Sequence, residues 1–232
     1  MAQDMPRSQK RAFLEGEGDA WFARNVARLG HPENDIVVNA MEALQLEPKR
    51  ILEIGCANGW RPAVLSQRLG AEGYGIDPSS KAIEDGRKRF PKLKLDVGTA
   101  DHLSFDDNMF DLVIFGFSLY LVDPKDYFRC VEEADRVLAD GGVLAIFDFL
   151  PPFPYANEYA HAPGVHAHKM IFSRLFTAHP AYTLISRSIK PEGADSPDRR
   201  EGIDILYKRL ADAFPGRPEN WERGESKEPG QT

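Results

Sequence analysis

Apolar positions along this chain recur with two different periods, and the period switches in step with Gly, Pro and Asp punctuation. Over residues 19–29, Trp21, Phe22, Val26 and Leu29 fall at helical spacing, and Gly30 closes the run. Ile36, Val37, Ala40, Met41 and Leu44 make one face of a second predicted helix over 33–46. The pattern then changes to short apolar runs of strand type at 51–54, 73–76, 93–97, 110–117 and 143–149. Amphipathic stretches between them predict helices at 62–69, 81–90 and 126–139. Ser79 or Ser80 supplies a cap for the second of these. Phe128, Val131, Ala134 and Leu138 are expected to face inward on the third, with Asp140-Gly141-Gly142 breaking it.

Strands alternating with helices at this spacing build βαβ units. The near-continuous apolar run at 110–117 suits a strand buried on both faces of a parallel sheet. The expected class is α/β: a Rossmann-like doubly wound sheet of about seven strands, mostly parallel, with helices on both faces. Beyond Pro152 the character changes. Residues 151–168 hold prolines, tyrosines and histidines without a clear period, and 169–178 reads as a helix ended by Pro180. Residues 182–189 and 203–207 read as two last strands, an antiparallel C-terminal edge hairpin. Residues 1–10 are polar, and 215–232, rich in Pro, Gly and charge, are expected to be a flexible tail.

Composition narrows the partners. The chain has 232 residues, 42% of them apolar, enough for one domain with a substantial core. A net charge of −7 with no basic patch argues against nucleic acid, and no membrane insertion is expected because the longest apolar run, 112–122, is too short to span a bilayer. There is no basic start followed by an apolar stretch, and only two cysteines. Both features fit a cytoplasmic protein without a disulfide framework.

The stretch Arg50-Ile51-Leu52-Glu53-Ile54-Gly55-Cys56-Ala57-Asn58-Gly59-Trp60 carries the chemistry. It reads strand, glycine loop, helix start, with Pro62 in the first helical turn. As a dinucleotide loop it fits G-x-G-x-x-G poorly: Ala57 stands at the second glycine, Gly59 comes too early, and the Glu53 carboxylate would repel a pyrophosphate. Beside a cationic amino-acid ligand Glu53 would help. A plain tight turn is the simpler alternative.

The stretch resembles motif I of the class I S-adenosylmethionine-dependent methyltransferases, E/D-x-G-x-G-x-G, with Ala57 replacing the middle glycine. Four further segments resemble the same family: Gly75-Ile76-Asp77-Pro78; Gly98-Thr99-Ala100-Asp101-His102-Leu103-Ser104-Phe105; Phe110-Asp111-Leu112-Val113-Ile114; and Glu133 to Leu138 before Gly141-Gly142. The resemblance covers roughly residues 50–150. It implies S-adenosyl-L-methionine as cofactor and S-adenosyl-L-homocysteine as product. It assigns the cofactor to Glu53, Gly55, Cys56, Ala57, Gly59 and Trp60 of the loop, Asp77 (ribose hydroxyls) and Pro78, Ala100 and Asp101 (adenine), and Phe115 and Gly116, whose carbonyls would meet the ammonium. Residues 1–48 then form an N-terminal helical lid, or simply cover a sheet edge. The methyltransferase domain covers 49–214, with 151–180 as a substrate-side insertion.

The methyl of a sulfonium is already activated, so the protein must position an acceptor and accept a proton. Tyr120, His166 and His168 are the candidate base or positioning groups, and Trp21, Tyr155, Tyr159 and His161 the candidate acceptor contacts. Each also reads as an ordinary pocket wall. No metal is expected: a two-residue His spacing without supporting ligands is a poor site. The segment Gly16 to Asn25 and the Phe172-Ser173-Arg174-Leu175-Phe176 segment are weakly similar to methyltransferases of bacterial nucleotide-sugar and surface-glycan pathways. The expected function is therefore methyl transfer to an O or N atom of a small polar acceptor, with a sugar or nucleotide-sugar as one candidate, by a monomer or homodimer. The rivals are an NAD-dependent oxidoreductase and a non-catalytic S-adenosylmethionine-binding subunit.

Overall fold

The computed structural model describes residues 8–214; the tail expected at 215–232 lies outside them. The chain opens with α1 (Gln9–Ala12), a π-helical turn (Phe13–Glu17) kinked at Gly16, and α2 (Gly18–Asn25). Helix α3 (Ile36–Ala43) follows, with the Asp35 carboxylate accepting from the Val37 and Val38 amides as its N-cap. Then come β1 (Arg50–Ile54), α4 (Trp60–Leu69), β2 (Glu72–Asp77), α5 (Ser80–Arg89), β3 (Lys94–Val97), β4 (Phe110–Gly116), α6 (Tyr127–Val137) and β5 (Leu138–Phe149). The C-terminal part holds β6 (Tyr155–Glu158), β7 (His166–Lys169), α7 (Ser173–Thr177), β8 (Tyr182–Ile189) and β9 (Glu201–Lys208).

Seven strands form one sheet in the order β3-β2-β1-β4-β5-β9-β8. The first five are parallel, and β9 lies antiparallel between β5 and β8. Side chains alternate across the sheet as the pleat demands. Leu52, Ile54, Val113 and Phe115 pack with Tyr127, Cys130, Ala134 and Val137 of α6 and with Phe172 and Phe176. Ile51, Leu112 and Ile114 pack on the opposite face with Val37, Val38 and Met41 of α3 and Leu65 of α4. Helices therefore cover both faces, as expected.

Three expectations are corrected. Phe128 is 73% exposed; α6 instead buries Tyr127, Cys130, Ala134 and Val137. Its phase is one residue off because Leu138 already belongs to β5, which runs on through Asp140-Gly141-Gly142 rather than starting after it. The helix expected over 169–178 is a five-residue α7, and the unpatterned stretch before it folds as the β6–β7 hairpin. Residues 1–10 were expected to be loose, but Gln9 and Lys10 belong to α1, which is tied down by tertiary hydrogen bonds from Ser8 and Gln9.

Candidate active site

The carboxyl ends of β1, β2, β3 and β4 converge on a cavity of about 890 Å³, counting the part open to solvent. Ligands of open α/β sheets bind at such a place. Ile54 and Gly55 line it from β1, Asp77 and Pro78 from β2, Gly98 to Asp101 from β3, and Gly116, Phe117 and Ser118 from β4. Lys10, Phe13, Gly18 and Trp21 close it from the N-terminal segment. Leu121, Val122, Asp123 and Asp126 complete the wall with Cys130 of α6.

The glycine loop is shaped for close approach. Gly55 has φ 78°, and a Cβ there would lie 2.6 Å from the Ser118 Cβ. Only glycine suits both the conformation and the space. The loop's amides, however, face inward: Gly55 and Cys56 donate to the Ile76 carbonyl at 2.9 and 3.0 Å, and Ala57 donates to Asp77 Oδ2 at 2.9 Å. These three N–H groups are already bonded, so they do not form an anion cradle for a pyrophosphate. That counts against the dinucleotide reading.

The electrostatics favour a cationic ligand with a sugar. Asp77 takes one amide per oxygen, Ala57 on Oδ2 and Ser79 on Oδ1 at 2.9 Å. Each oxygen keeps a further lone pair for a hydroxyl. Burial pushes the Asp77 carboxyl up to about 6, against the two amides that favour its ionised form. Asp101 Oδ2 accepts from Lys10 Nζ at 2.5 Å, so a cation from the N-terminal segment already sits on the carboxylate expected to meet an adenine amine. Glu53 is fully buried and paired with Arg61, and its Oε2 has no partner. Burial, outweighing the Arg61 charge, raises it to about 7.

Of the residues expected around the cofactor, the structure brings Gly55, Asp77, Pro78, Ala100, Asp101 and Gly116 to the cavity wall. Glu53, Cys56, Ala57, Gly59, Trp60 and Phe115 stand behind it. Cys56 is 2% exposed against Gly75, and burial lifts its thiol well above the usual range, so it is a packing residue. Phe115 faces Phe176, ring centroids 6.2 Å apart.

The acceptor candidates divide in the same way. Trp21 lines the cavity. Tyr120 itself lies behind that wall, against Phe117 and Phe149, and burial raises its phenol far above neutrality. Tyr155 donates to Asp198 Oδ1 at 2.9 Å, and Tyr159 to Glu17 Oε1 at 3.1 Å. His161 stacks edge-on to Tyr159. His166 and His168 lie on β7 with rings 6.0 Å apart, outside the cavity wall; burial lowers the His168 pKa. Among the described residues, no group of three or more His, Cys, Asp or Glu could hold a metal ion, and no helix is long and apolar enough to cross a membrane.

Sequence reasoning missed Lys10, Phe13, Phe117, Ser118 and the 121–123 turn. Phe117 and Ser118 directly follow a strand end, a signal that could have found them. Lys10 carries no such signal.

Residues 52–146 match the family model described as a methyltransferase domain. Over that stretch the chain is similar to a methyltransferase domain, and its fold is that of solved S-adenosylmethionine-dependent methyltransferases. It is 37% identical over 109 residues to the 2-phytyl-1,4-naphtoquinone methyltransferase of Nostoc punctiforme, covering 44% of this chain and 46% of that protein. It is 34% identical over 132 residues to the demethylmenaquinone methyltransferase of Staphylococcus aureus, covering 55% and 54%. The chain thus spans about half the length of these curated relatives. Among solved structures, it resembles the Burkholderia thailandensis 1,6-didemethyltoxoflavin-N1-methyltransferase with bound 1,6-didemethyltoxoflavin and S-adenosylhomocysteine. The TM-score there is 0.70 at 15% identity, covering 89% of this chain and 93% of that one. These matches do not show the weaker likeness to glycan-associated methyltransferases.

Proposed function

We propose that this protein transfers a methyl group from S-adenosylmethionine to an O or N atom of a small, flat ring compound. One observation carries the reading: four successive strand ends meet at one cavity with a glycine that tolerates no Cβ and an aspartate with free lone pairs. These features fit the cofactor. Asp77 would hold the ribose hydroxyls, Ala100 and Asp101 the adenine, and Gly55 and Gly116 the amino-acid end. When bound, the cofactor supplies an electrophilic methyl on a positively charged sulfur.

The chain's own residues contribute binding, orientation and exclusion of water. Trp21, Phe13, Phe117, Leu121 and Val122 give the cavity an apolar, partly aromatic wall, which suits the face of a planar ring. The substrates in the relatives' names, a naphtoquinone and a demethylmenaquinone, support a ring acceptor over a sugar. A sugar or nucleotide-sugar would stack on Trp21 by its apolar face, which keeps it as the second candidate. Residues from α1 to α2 act as the lid, because they supply one wall of the cavity and are fastened across it. Positioning of this kind accounts for much of the rate in a reaction whose electrophile is already activated.

Calorimetry tests the cofactor and turnover tests the reaction. S-adenosylhomocysteine is expected to bind and NAD to fail. Asp77→Ala should weaken the former by roughly ten-fold or more, the loss of hydrogen bonds to a charged group. Formation of S-adenosylhomocysteine with hydroxylated or N–H ring acceptors, and not without them, is the expected activity. Binding of NAD in place of S-adenosylhomocysteine would overturn the reading.

A further inference from the structure

The cavity wall carries more negative charge than its own cation balances. Asp77, Asp101, Asp123 and Asp126 line it, and among the described residues Lys10 is the one cation there. Lys10 Nζ donates to Asp101 Oδ2 at 2.5 Å, and Asp126 shares the same ammonium charge from further off. Asp77 is held by two backbone amides, and Asp123 Oδ2 by the Ser8 hydroxyl at 3.1 Å and the Gln9 amide at 3.0 Å, all of them uncharged donors. On the side of the β6–β7 hairpin, Arg24 is bound to Glu17 at 2.5 Å and Lys169 to Asp198 at 3.3 Å, so these two cations are already matched.

The aromatic part of the wall offers rings and no proton acceptor. Phe13, Trp21 and Phe117 present carbon there. Cys130 stands with Asp101 and Asp126, and burial pushes its thiol up to about 12, so it keeps its proton at neutral pH. Tyr120 lies behind Phe117, its phenol held protonated by burial. His166 and His168 lie outside the wall, and the carboxylates of Asp101 and Asp123 are committed to the first turn of the chain. A hydroxyl must give its proton to a base within hydrogen-bond reach as it attacks. A phenolate, already ionised, would have to enter beside carboxylates that lack a counter-charge. An uncharged nitrogen meets neither obstacle.

We propose that the acceptor atom is an uncharged nitrogen of the flat ring compound, and that the cavity holds the cation it becomes between aromatic faces and unmatched carboxylates. The inference rests on the methyltransferase reading and narrows its acceptor from O or N to N. The nitrogen lone pair becomes the N–CH3 bond, while the S–CH3 bond breaks and its electron pair stays on sulfur. Positive charge passes from sulfur to nitrogen, so the cavity holds a cation at the reacting centre before the step and after it. Where the nitrogen bears a hydrogen, that proton leaves to water afterwards. Ring faces such as those of Trp21 and Phe117 attract a cation, and the carboxylates add a field of the same preference. The same charges repel acceptors that carry a carboxylate or a phosphate, nucleotide-sugars among them.

The test is calorimetric binding of three probes to the protein saturated with S-adenosylhomocysteine. They share one ring outline and differ in charge: 1-methylquinolinium is a cation of the product type, 1-methylnaphthalene its uncharged isostere, and 1-naphthoate an anion. The cation should bind roughly ten-fold tighter than the isostere, a gap of ~1.4 kcal/mol, and the naphthoate should bind weakest. Added salt should narrow the gap by screening the carboxylates that reach solvent. Trp21→Phe should keep most of the gap and Trp21→Leu should lose much of it. A wall that is only apolar would rank the isostere first and ignore salt. Quinoline should also be converted to 1-methylquinolinium ahead of 1-naphthol to its methyl ether, read by mass. A cation that binds no tighter than the isostere, a naphthoate that binds best, or naphthol methylated in preference to quinoline would overturn the proposal while leaving methyl transfer intact. Failure of S-adenosylhomocysteine itself to bind would overturn the two together.

Discussion

Two non-glycine residues hold left-handed backbone, one lining the cavity and one just behind its wall: Phe117 at φ 61° and Ala57 at φ 49°. Such residues are strained and tend to persist where surrounding structure over-determines them. Ala57 is fixed by its amide bond to Asp77, and Phe117 by its amide bond to the Phe147 carbonyl at 2.8 Å. Replacing Ala57 with Gly should stabilise the protein by about 0.5–1 kcal/mol, the left-handed penalty less the entropy of the freer unfolded chain; urea melts would read it. Gly55→Ala meets both a positive φ and Ser118, and should cost roughly 1–3 kcal/mol and weaken S-adenosylhomocysteine binding. The requirement for Gly55 was legible in the sequence. The strain at Ala57 was not, since the letter says only that a small residue is tolerated. The helical phase of α6 was misread because the inward stripe runs through Tyr127, Cys130, Ala134 and Val137, one step from the Phe128 and Val131 that look more apolar. Phe128→Ser should therefore change stability by less than about 0.5 kcal/mol, despite removing a large apolar side chain.

The N-terminal segment shows what periodicity cannot reveal about elements. Its α1 has four residues, too few to be stable alone. It persists because Gln9 Nε2 donates to the Leu121 carbonyl at 2.7 Å, the His166 amide donates to Gln9 Oε1 at 2.7 Å, and the Ser8 hydroxyl and Gln9 amide both reach Asp123. Polar tethers leave no apolar stripe to read. At the other end of the segment Asp19 accepts from Ser79 Oγ at 2.7 Å and from the Lys81 amide at 3.1 Å, tying α2 to the first turn of α5. Asp19→Ala should cost about 1–2 kcal/mol. It should also speed limited proteolysis within residues 9–25, with saturating S-adenosylhomocysteine slowing the cleavage. Unchanged cleavage would mean that Asp19 does not hold the segment down. The central β/α elements were legible because each buries an apolar face, and the β6–β7 hairpin was not, because β6 alternates between exposed and half-buried and β7 buries only Ala167 and the polar Lys169.

At the scale of the whole molecule, buried carboxyls set the response to pH. Glu53 and Asp148 are raised to about 7 and Asp77 to about 6, each chiefly by burial. Asp148 accepts from the Phe149 and Tyr120 amides inside the core, which only partly offsets that effect. An acid whose folded pKa is raised binds more protons folded than unfolded. Its contribution is fully present below the unfolded value near 4 and is lost as pH climbs through the folded value. The ligand-free protein should thus lose stability between about pH 4 and pH 7. Asp148→Asn should flatten that slope in denaturant melts at several pH values. A slope that survives the substitution unchanged would remove Asp148 from the account.

The sheet's alternation and its two helical layers were legible from residues 51 to 149. The inner position of β9 was not: a terminal hairpin pairs its two strands equally well whichever of them docks on β5.

That inner position sets a timetable for the growing chain. Until Lys208 has left the ribosome, the apolar β5 has one side with nothing to zip onto, although the four strand ends that meet at the cavity are already made. A nascent chain stalled anywhere in 190–200, or a polypeptide nicked there, would present a bare ribbon to its neighbours and should clump, however well its cofactor half had folded.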